Sequence, residues 1–415
     1  MFRKLVSLGE AKKLLTHYYK PHPIGVETVS IIDSSDRVAA ENVRCNVSVP
    51  PFDKSLVDGY AVIAEDTFGA EENRPIRLKI DGKILAGDPP RSKVVKGHSV
   101  EIATGAQLPL GADAVVMLEY TNQTHVDWVE IYRAVHSGEN VLKRGSDISA
   151  GSLIVKSKTV LTISQIGLLA ASGIDKIKVY RKPKVGILST GSELIKPGFK
   201  LSDGKIFDIN TYTLTVAVKN CGCTPIPLGI VSDDEEAMLK IFKKGLKNTD
   251  LILSSGATSV GREDVIPKVL NKLGKPGTII NGILVKPGKP TTVAIIRGKP
   301  IFALPGHPTA AITIFHILCK PLLHKLANFP YNGKKILAKT SKKSFSARGR
   351  ETFIPVVLEK RFNEWVAEPI ELESGAISTF SKADGFYIIP RDQDFINENE
   401  MVEVYLFDKS TVNFQ

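Results

Sequence analysis

Hydrophobic and polar positions follow five successive patterns along this chain. The opening MFRKLVSLGEAKKLL has the spacing of an amphipathic helix, and TVSIIDSSDRVAAENV then sets Val29, Ile31 and Ile32 ahead of polar turn residues, as a strand does. From 51 to 146 short β signals dominate, among them RPIRLKI, DAVVMLEY and WVEIY, separated by Gly, Pro and Asp clusters. That stretch predicts a β-rich domain. Between Leu153 and Ile177 the run LTISQIGLLAASGI places Ile166, Leu169 and Ala170 at helical spacing and stops at Gly173. Packed against the N-terminal segment, it would make residues 1–50 and 147–180 one small discontinuous linking domain.

After Lys182 short apolar strands, KVGILS, TPIPLGIV and DLILS, alternate with amphipathic helices. This alternation predicts a doubly wound, mostly parallel α/β domain over 181–328. The helix after Asp208 carries Leu214, Ala217, Val218 and Cys221 on one face, with Gly222 as its stop. The next helix starts at a capping box of Ser232 and Glu235, and Lys243, Lys244 and Lys247 near its end suit the helix dipole. Beyond 329, TFIPVVLE and GFYIIP return to β and predict a C-terminal β-barrel over 329–415.

Composition narrows the class. The 415 residues exceed the roughly 250–300 at which a single core stops growing, which agrees with several domains. No stretch is expected to reach the roughly 18 apolar residues of a membrane span, and the N-terminus lacks the apolar core of a signal peptide, so a cytoplasmic protein without a membrane is expected. Cys45, Cys221, Cys223 and Cys319 show no metal-ligand or paired spacing, which fits a reducing compartment and argues against structural zinc. The 55 basic against 44 acidic residues give a net charge of +11, but the lysines lie in short dispersed clusters without a nucleic-acid-binding signature. They read as solvated surface, and no nucleic-acid partner is expected.

Ligands of open α/β sheets bind at the carboxyl ends of the strands, which directs attention to three loops. DLILS runs into SGATSVGRED, where Ser254, Ser255 and Ser259 supply hydroxyls, the glycines let backbone N–H groups approach an anion, and Asp264 precedes a helix. KVGILS runs into TGSEL, which sets Glu193 four residues past the strand as a carboxylate able to hold Mg²⁺ or orient water. LPGHP leads Pro305 and Pro308 into a helix start, and the upstream KPGKP brings Lys286 and Lys289 near it as a phosphate clamp. Each has an ordinary alternative: a helix cap for Asp264, an exposed turn glutamate for Glu193, a plain hairpin for KPGKP. Walker, dinucleotide-binding, zinc-protease and serine-hydrolase motifs are absent.

The segments PPFDKSLVDGYAV, TGAQLPLGADAVVMLE, RGSDI, VGILSTGSEL, SSGATSVGREDV, KPGKP and ALPGHPTAA occur in this order over almost the whole chain. Together they resemble the molybdopterin molybdenumtransferases, relatives of the E domain of gephyrin. The resemblance implies insertion of molybdate or tungstate into adenylyl-molybdopterin with Mg²⁺-dependent release of AMP. It also implies a homodimer with the site at the subunit interface. Glu193 and Asp264 would hold the metal and act in catalysis with Asp58 and Asp147. The substrate would be held by Thr104, Ser254, Ser255, Ser259, Lys286, Lys289, Pro305, Pro308, Arg350, Ser378 and Thr379, and Asp58, Thr104 and Asp147 would come from the partner chain. Lys54 and Val57 stand where Asn and Met are common in that family, Ala257 replaces a glycine, and His307 replaces the Asn of PGNP. A non-catalytic molybdopterin-binding or scaffold protein of the same fold is the alternative.

Overall fold

The computed structural model describes residues 5–256, 265–331, 333, 335–370 and 377–407. They divide into two compact units: one of 1–27, 36–38 and 180–415, the other of 28–35 and 39–179.

The first unit is built on a six-stranded sheet in the order Thr224–Val231, Lys184–Thr190, Leu251–Ser255, Lys299–Leu304, Thr292–Ile296, Pro276–Asn281. The first four strands are parallel, Thr292–Ile296 runs against them, and the edge strand Pro276–Asn281, antiparallel to its neighbour, returns to their direction, so the sheet is mostly parallel as expected. Its apolar runs are buried on both faces. Leu251, Leu253, Val293, Ile295, Phe302 and Leu304 point into one core, and the intervening Ile252, Ala294, Ile296, Ile301 and Ala303 into another. Helix Asn210–Asn220 covers the first face through Leu214 and Val218, and helices Glu235–Asn248 and Val265–Leu273 cover the second through Met238, Phe242, Ile266 and Val269. Each such side chain, fully buried, contributes about 1.5–3 kcal/mol.

Three local expectations are corrected. The cap of helix Glu235–Asn248 is Asp234, whose Oδ1 accepts from the Ala237 N–H at 2.7 Å, rather than a box opened by Ser232. An aspartate two residues later satisfies the same orphan donors, while Glu235 turns to pair with Lys272. One stretch does reach membrane-span length: helix Pro308–Ala327 has 20 residues and a mean hydropathy of 1.3, but 78% of its apolar window is buried. It is apolar because Ala311, Ile314, Phe315, Leu318, Leu322 and Leu323 pack into the first sheet face. Finally, the N-terminal segment divides: helix Leu8–Tyr18 places Leu8, Ala11 and Leu15 in that same core, while Val29 and Ile31 pack beside Leu169 as expected.

Strands Glu351–Arg361, Glu364–Pro369, Lys335–Thr340, Met401–Leu406 and Gly385–Ile389 close on one another as a five-stranded barrel, because Gly385–Ile389 pairs with both Met401–Leu406 and Glu351–Arg361. Closure leaves no edge between the first and last strands. Val356, Tyr387, Ile389 and Val404 fill the interior, and the Tyr387 hydroxyl donates to Ser344 Oγ at 2.6 Å. A short strand from the α/β region, Val285–Lys286, adds alongside Glu351–Arg361 in parallel.

The second unit holds a six-stranded sheet in the order Ala114–Met117, Gly59–Val62, His98–Ile102, Ile76–Ile84, Trp128–Ile131, Thr121–His125. Beside it lies a small core of Ala39, Val155, Leu161, Leu169, Ile177 and Val179, drawn from two separate stretches of chain. Helix Ile163–Ala171 ends at Ser172, followed by Gly173 at φ +73°.

Candidate functional site

The parallel strands Lys184–Thr190, Leu251–Ser255 and Lys299–Leu304 deliver their carboxyl ends side by side, and a few polar groups lock the three loops together. Thr190 Oγ1 donates to the Ser255 carbonyl at 3.3 Å, and Ser255 Oγ donates to the Pro305 carbonyl at 3.0 Å. The Asn210 side-chain amide donates to both Ser255 Oγ, at 2.6 Å, and the Gly306 carbonyl, at 2.7 Å. Asn210 therefore ties the loop after Leu251–Ser255 to the loop after Lys299–Leu304. Ser189 Oγ donates to Asp208 Oδ1 at 2.9 Å, and that oxygen also accepts from the Thr211 N–H at 3.1 Å, which fixes the helix start beside the strand end.

Asp208 and Asn210 were not among the sequence-derived candidates. Their signal was the polar DIN at the head of an amphipathic helix, which reads as capping when the loops it meets are unknown. Ser254 Oγ and Asn210 Oδ1 are buried at these strand ends without a hydrogen-bond partner among the described residues. Buried polar atoms are rarely left so. Replacing Asn210 by Ala removes two buried hydrogen bonds and is expected to cost about 1–3 kcal/mol, read as a lower thermal midpoint. An unchanged midpoint would show that the two loops hold their positions without it.

Glu193 stands exposed on the loop after Lys184–Thr190. Its carboxylate oxygens occupy the space where a side chain on Gly191 would begin, within 2.6 and 2.7 Å of that Cβ position. Gly191 thus cradles the carboxylate. Lys286 and Lys289 are exposed, and Lys286 is a rung of the strand that pairs with the barrel, opposite Thr352. That pairing brings Arg350 within two residues of the same rung. Pro305 is buried where it ends its strand, Pro308 opens helix Pro308–Ala327, and His307 between them is exposed and makes no side-chain cap. Ser378 is exposed on helix Ile377–Lys382, which also contains Thr379. Ser259, Asp264 and Ala257 lie outside the described residues.

In the second unit Asp58 Oδ1 accepts from the Thr104 N–H at 2.8 Å, so these two candidates meet. Asp147 sits exposed on a neighbouring loop whose backbone is pinned by Val49 and by Asp53. The Asp53 carboxyl is held below the usual range, chiefly because it accepts from the Arg144 N–H at 2.7 Å and also because Lys143 pairs with it at 3.0 Å. A carboxyl with a lowered folded pKa stabilises above its unfolded pKa and loses that contribution as pH falls through the folded value. The midpoint difference between the wild type and Asp53→Asn is therefore expected to stay constant from about pH 8 to 5 and to narrow below about pH 4. A difference independent of pH throughout would discount the charged anchor.

Burial pushes the Cys223 and Cys319 thiols well above their ordinary value, so at neutral pH they are inert side chains of the core. Among the described residues no three His, Cys, Asp or Glu side chains form a ready-made metal cluster.

Comparison with known proteins gives a consistent match along the chain. Residues 6–173 match the MoeA N-terminal region (domain I and II), 186–325 a probable molybdopterin binding domain, and 338–407 the MoeA C-terminal region (domain IV). A molybdopterin molybdenumtransferase of Bacillus subtilis is 31% identical over 97% of this chain and 94% of its own. Another, from Nostoc sp., is 32% identical over 91% and 88%. Two crystal structures of the molybdopterin biosynthesis MoeA protein of Pyrococcus horikoshii superpose with TM-scores of 0.81 and 0.71 at 40% and 30% identity. They cover 98% and 97% of this chain and 100% of their own.

Proposed function

Because the chain belongs to the MoeA family, we propose that it inserts molybdate or tungstate into adenylylated molybdopterin and releases AMP in the same cycle. Its class, a transferase of molybdenum cofactor biosynthesis, follows from that membership. The observation that best supports the finer reading is the locked convergence of three strand ends, where two buried oxygens lack a hydrogen-bond partner among the described residues.

In this reading Lys286, Lys289 and Arg350 bind the phosphate or molybdate oxygens, with Lys286 and Arg350 set near one another by the rung shared with the barrel. Ser254 and Ser255 offer hydroxyls at the strand ends, and Ser259, Ser378 and Thr379 are assigned to the same ligand by family motif. Glu193 and Asp264 are the residues that would hold Mg²⁺, which supplies charge neutralisation at the phosphates when bound. Water then breaks the phosphoanhydride between the adenylate and the pterin phosphate, and AMP departs. The ligand brings its own thiolates, which agrees with cysteines buried away as core. Those four free cysteines also support a reducing cytosol as its compartment.

A homodimer is proposed on a separate observation. Phe199, Leu201, Ile206, Tyr212 and Val216 leave 49–64% of their surface exposed within one stretch of the α/β region. An apolar patch of this kind marks an interface. Light scattering should give twice 45.2 kDa at micromolar concentration, and a 45.2 kDa species would remove the dimer. The activity is tested by incubating purified protein with adenylyl-molybdopterin, molybdate and Mg²⁺ and following AMP. Release that needs both anion and metal is expected. Tight binding of the pterin without any AMP would replace the enzyme by a binding protein of the same fold.

A further inference from the structure

The α/β sheet has a second end. Where its parallel strands begin, opposite the loops described above, lies a cleft of about 500 Å³. Six cationic side chains line it, Arg37, Arg181, Lys182, Lys184, Lys247 and Lys299, against two carboxylates, Glu27 and Asp250. The strands explain the gathering: Lys184 opens Lys184–Thr190, Lys299 opens Lys299–Leu304, Thr224 opens Thr224–Val231, and Asp250 directly precedes Leu251–Ser255.

Both carboxylates are already engaged. Glu27 pairs with the Arg37 guanidinium, and Asp250 Oδ2 accepts from the Lys184 N–H at 2.8 Å. Lys299 holds the end of helix Glu235–Asn248 by donating to the Leu246 and Thr249 carbonyls, each at 2.7 Å, and Lys247 lies in the last turn of that helix. Neutralising a helix end accounts for those two lysines. It does not account for Arg181, Lys182 and Lys184, which have no carboxylate partner among the described residues. Nor does it explain Arg37. That side chain is 10% exposed, and although one terminal nitrogen reaches Glu27 and the Tyr180 carbonyl, its Nε is buried without a partner. A buried guanidinium nitrogen left unpaired beside a cationic cleft is a donor awaiting an acceptor.

We propose that this cleft is a second anion site, for a small molecule carrying two or more linked phosphates. Its volume falls within the roughly 300–1,000 Å³ of small-ligand pockets, and uncompensated cations that repel one another in the free protein are neutralised by a polyanion between them. A single oxyanion would leave most of these cations unused.

The test is calorimetric titration of the full chain with inorganic pyrophosphate, ATP and adenosine at low salt. The Lys286→Ala/Lys289→Ala variant serves as background, which weakens phosphate binding at the other end of the sheet. Pyrophosphate and ATP are expected to bind at one site per chain and adenosine not at all. Adding Arg181→Glu and Lys184→Glu, both exposed positions, should weaken binding at least tenfold, whereas Lys96→Glu, exposed on the other unit, should leave it unchanged. Should the charge-reversed pair not fold, Lys247→Glu must show the same weakening. ATP binding tenfold tighter than pyrophosphate identifies a nucleotide as the source, and equal affinities a free oligophosphate. Absence of binding by either probe, or affinity unmoved by the charge reversals, overturns the proposal.

Discussion

Replacing Glu193 by Ala is expected to lower AMP release by roughly a hundredfold or more while leaving the thermal midpoint where it was. The size follows from the role: loss of a group that fixes a metal and its shell typically costs about 10–100-fold even when that group is only indirectly bound, and a direct ligand costs more. The silence of the midpoint follows from geometry. Glu193 is exposed, its carboxylate rests over Gly191, and surface changes away from a packed feature stay within about 0.5 kcal/mol. Glu193→Gln keeps the shape and removes the charge, so it should fall with the alanine variant. If the glutamine variant works at the wild-type rate, the carboxylate is an ordinary turn residue and the proposed metal role of Glu193 falls.

Gly256→Ala is expected to do the reverse, harming the fold first and activity as a consequence. Gly256 adopts φ +109°, and a Cβ there would lie 2.0 Å from the Thr190 carbonyl oxygen and 2.7 Å from Thr190 Oγ1. Neither can move freely, since Thr190 is buried in a strand and its hydroxyl is bonded to the Ser255 carbonyl. Left-handed strain and overpacking each cost about 1–3 kcal/mol, so a total near 3 kcal/mol or more is expected in thermal or urea unfolding. Gly306→Ala is the internal control. Among the described residues a Cβ there would meet only the Gly256 Cα at 3.6 Å, an ordinary contact, and its effect on stability should remain under about 1 kcal/mol. Equal destabilisation by the two would refute this account of the loop.

Much of the scaffold was legible in the chain because its elements carry strong local signals. Strands buried on both faces read as short apolar runs, and Leu214 and Val218 revealed the buried side of their helix. The partner of a buried stripe was not legible. Leu8, Ala11 and Leu15 announce a helix with an apolar face, but periodicity does not say which sheet that face meets, and it meets the α/β core. The same limit hid Asn210. A polar residue at a helix start reads as a cap, and only the assembled strands show its amide reaching both Ser255 and Gly306. The apolar runs KVGILS, DLILS and PIFALP did show where three strands stop, since a strand's end is marked more firmly in sequence than what lies across from it.

The pairing of Val285–Lys286 with Glu351–Arg361 has a thermodynamic side. The segment that presents Lys286 is shared property: it leaves the α/β region and is stitched by main-chain bonds to a strand of the barrel, with Glu351 N–H donating to the Leu284 carbonyl at 3.1 Å. An anion gripped at Lys286 therefore loads a barrel rung, and by mass action its occupancy is felt as reduced opening of that strand. Saturation at a hundred times the dissociation constant is worth about 2.7 kcal/mol, enough to slow amide exchange there about a hundredfold. Exchange along that barrel strand would then report on an anion held in the α/β region.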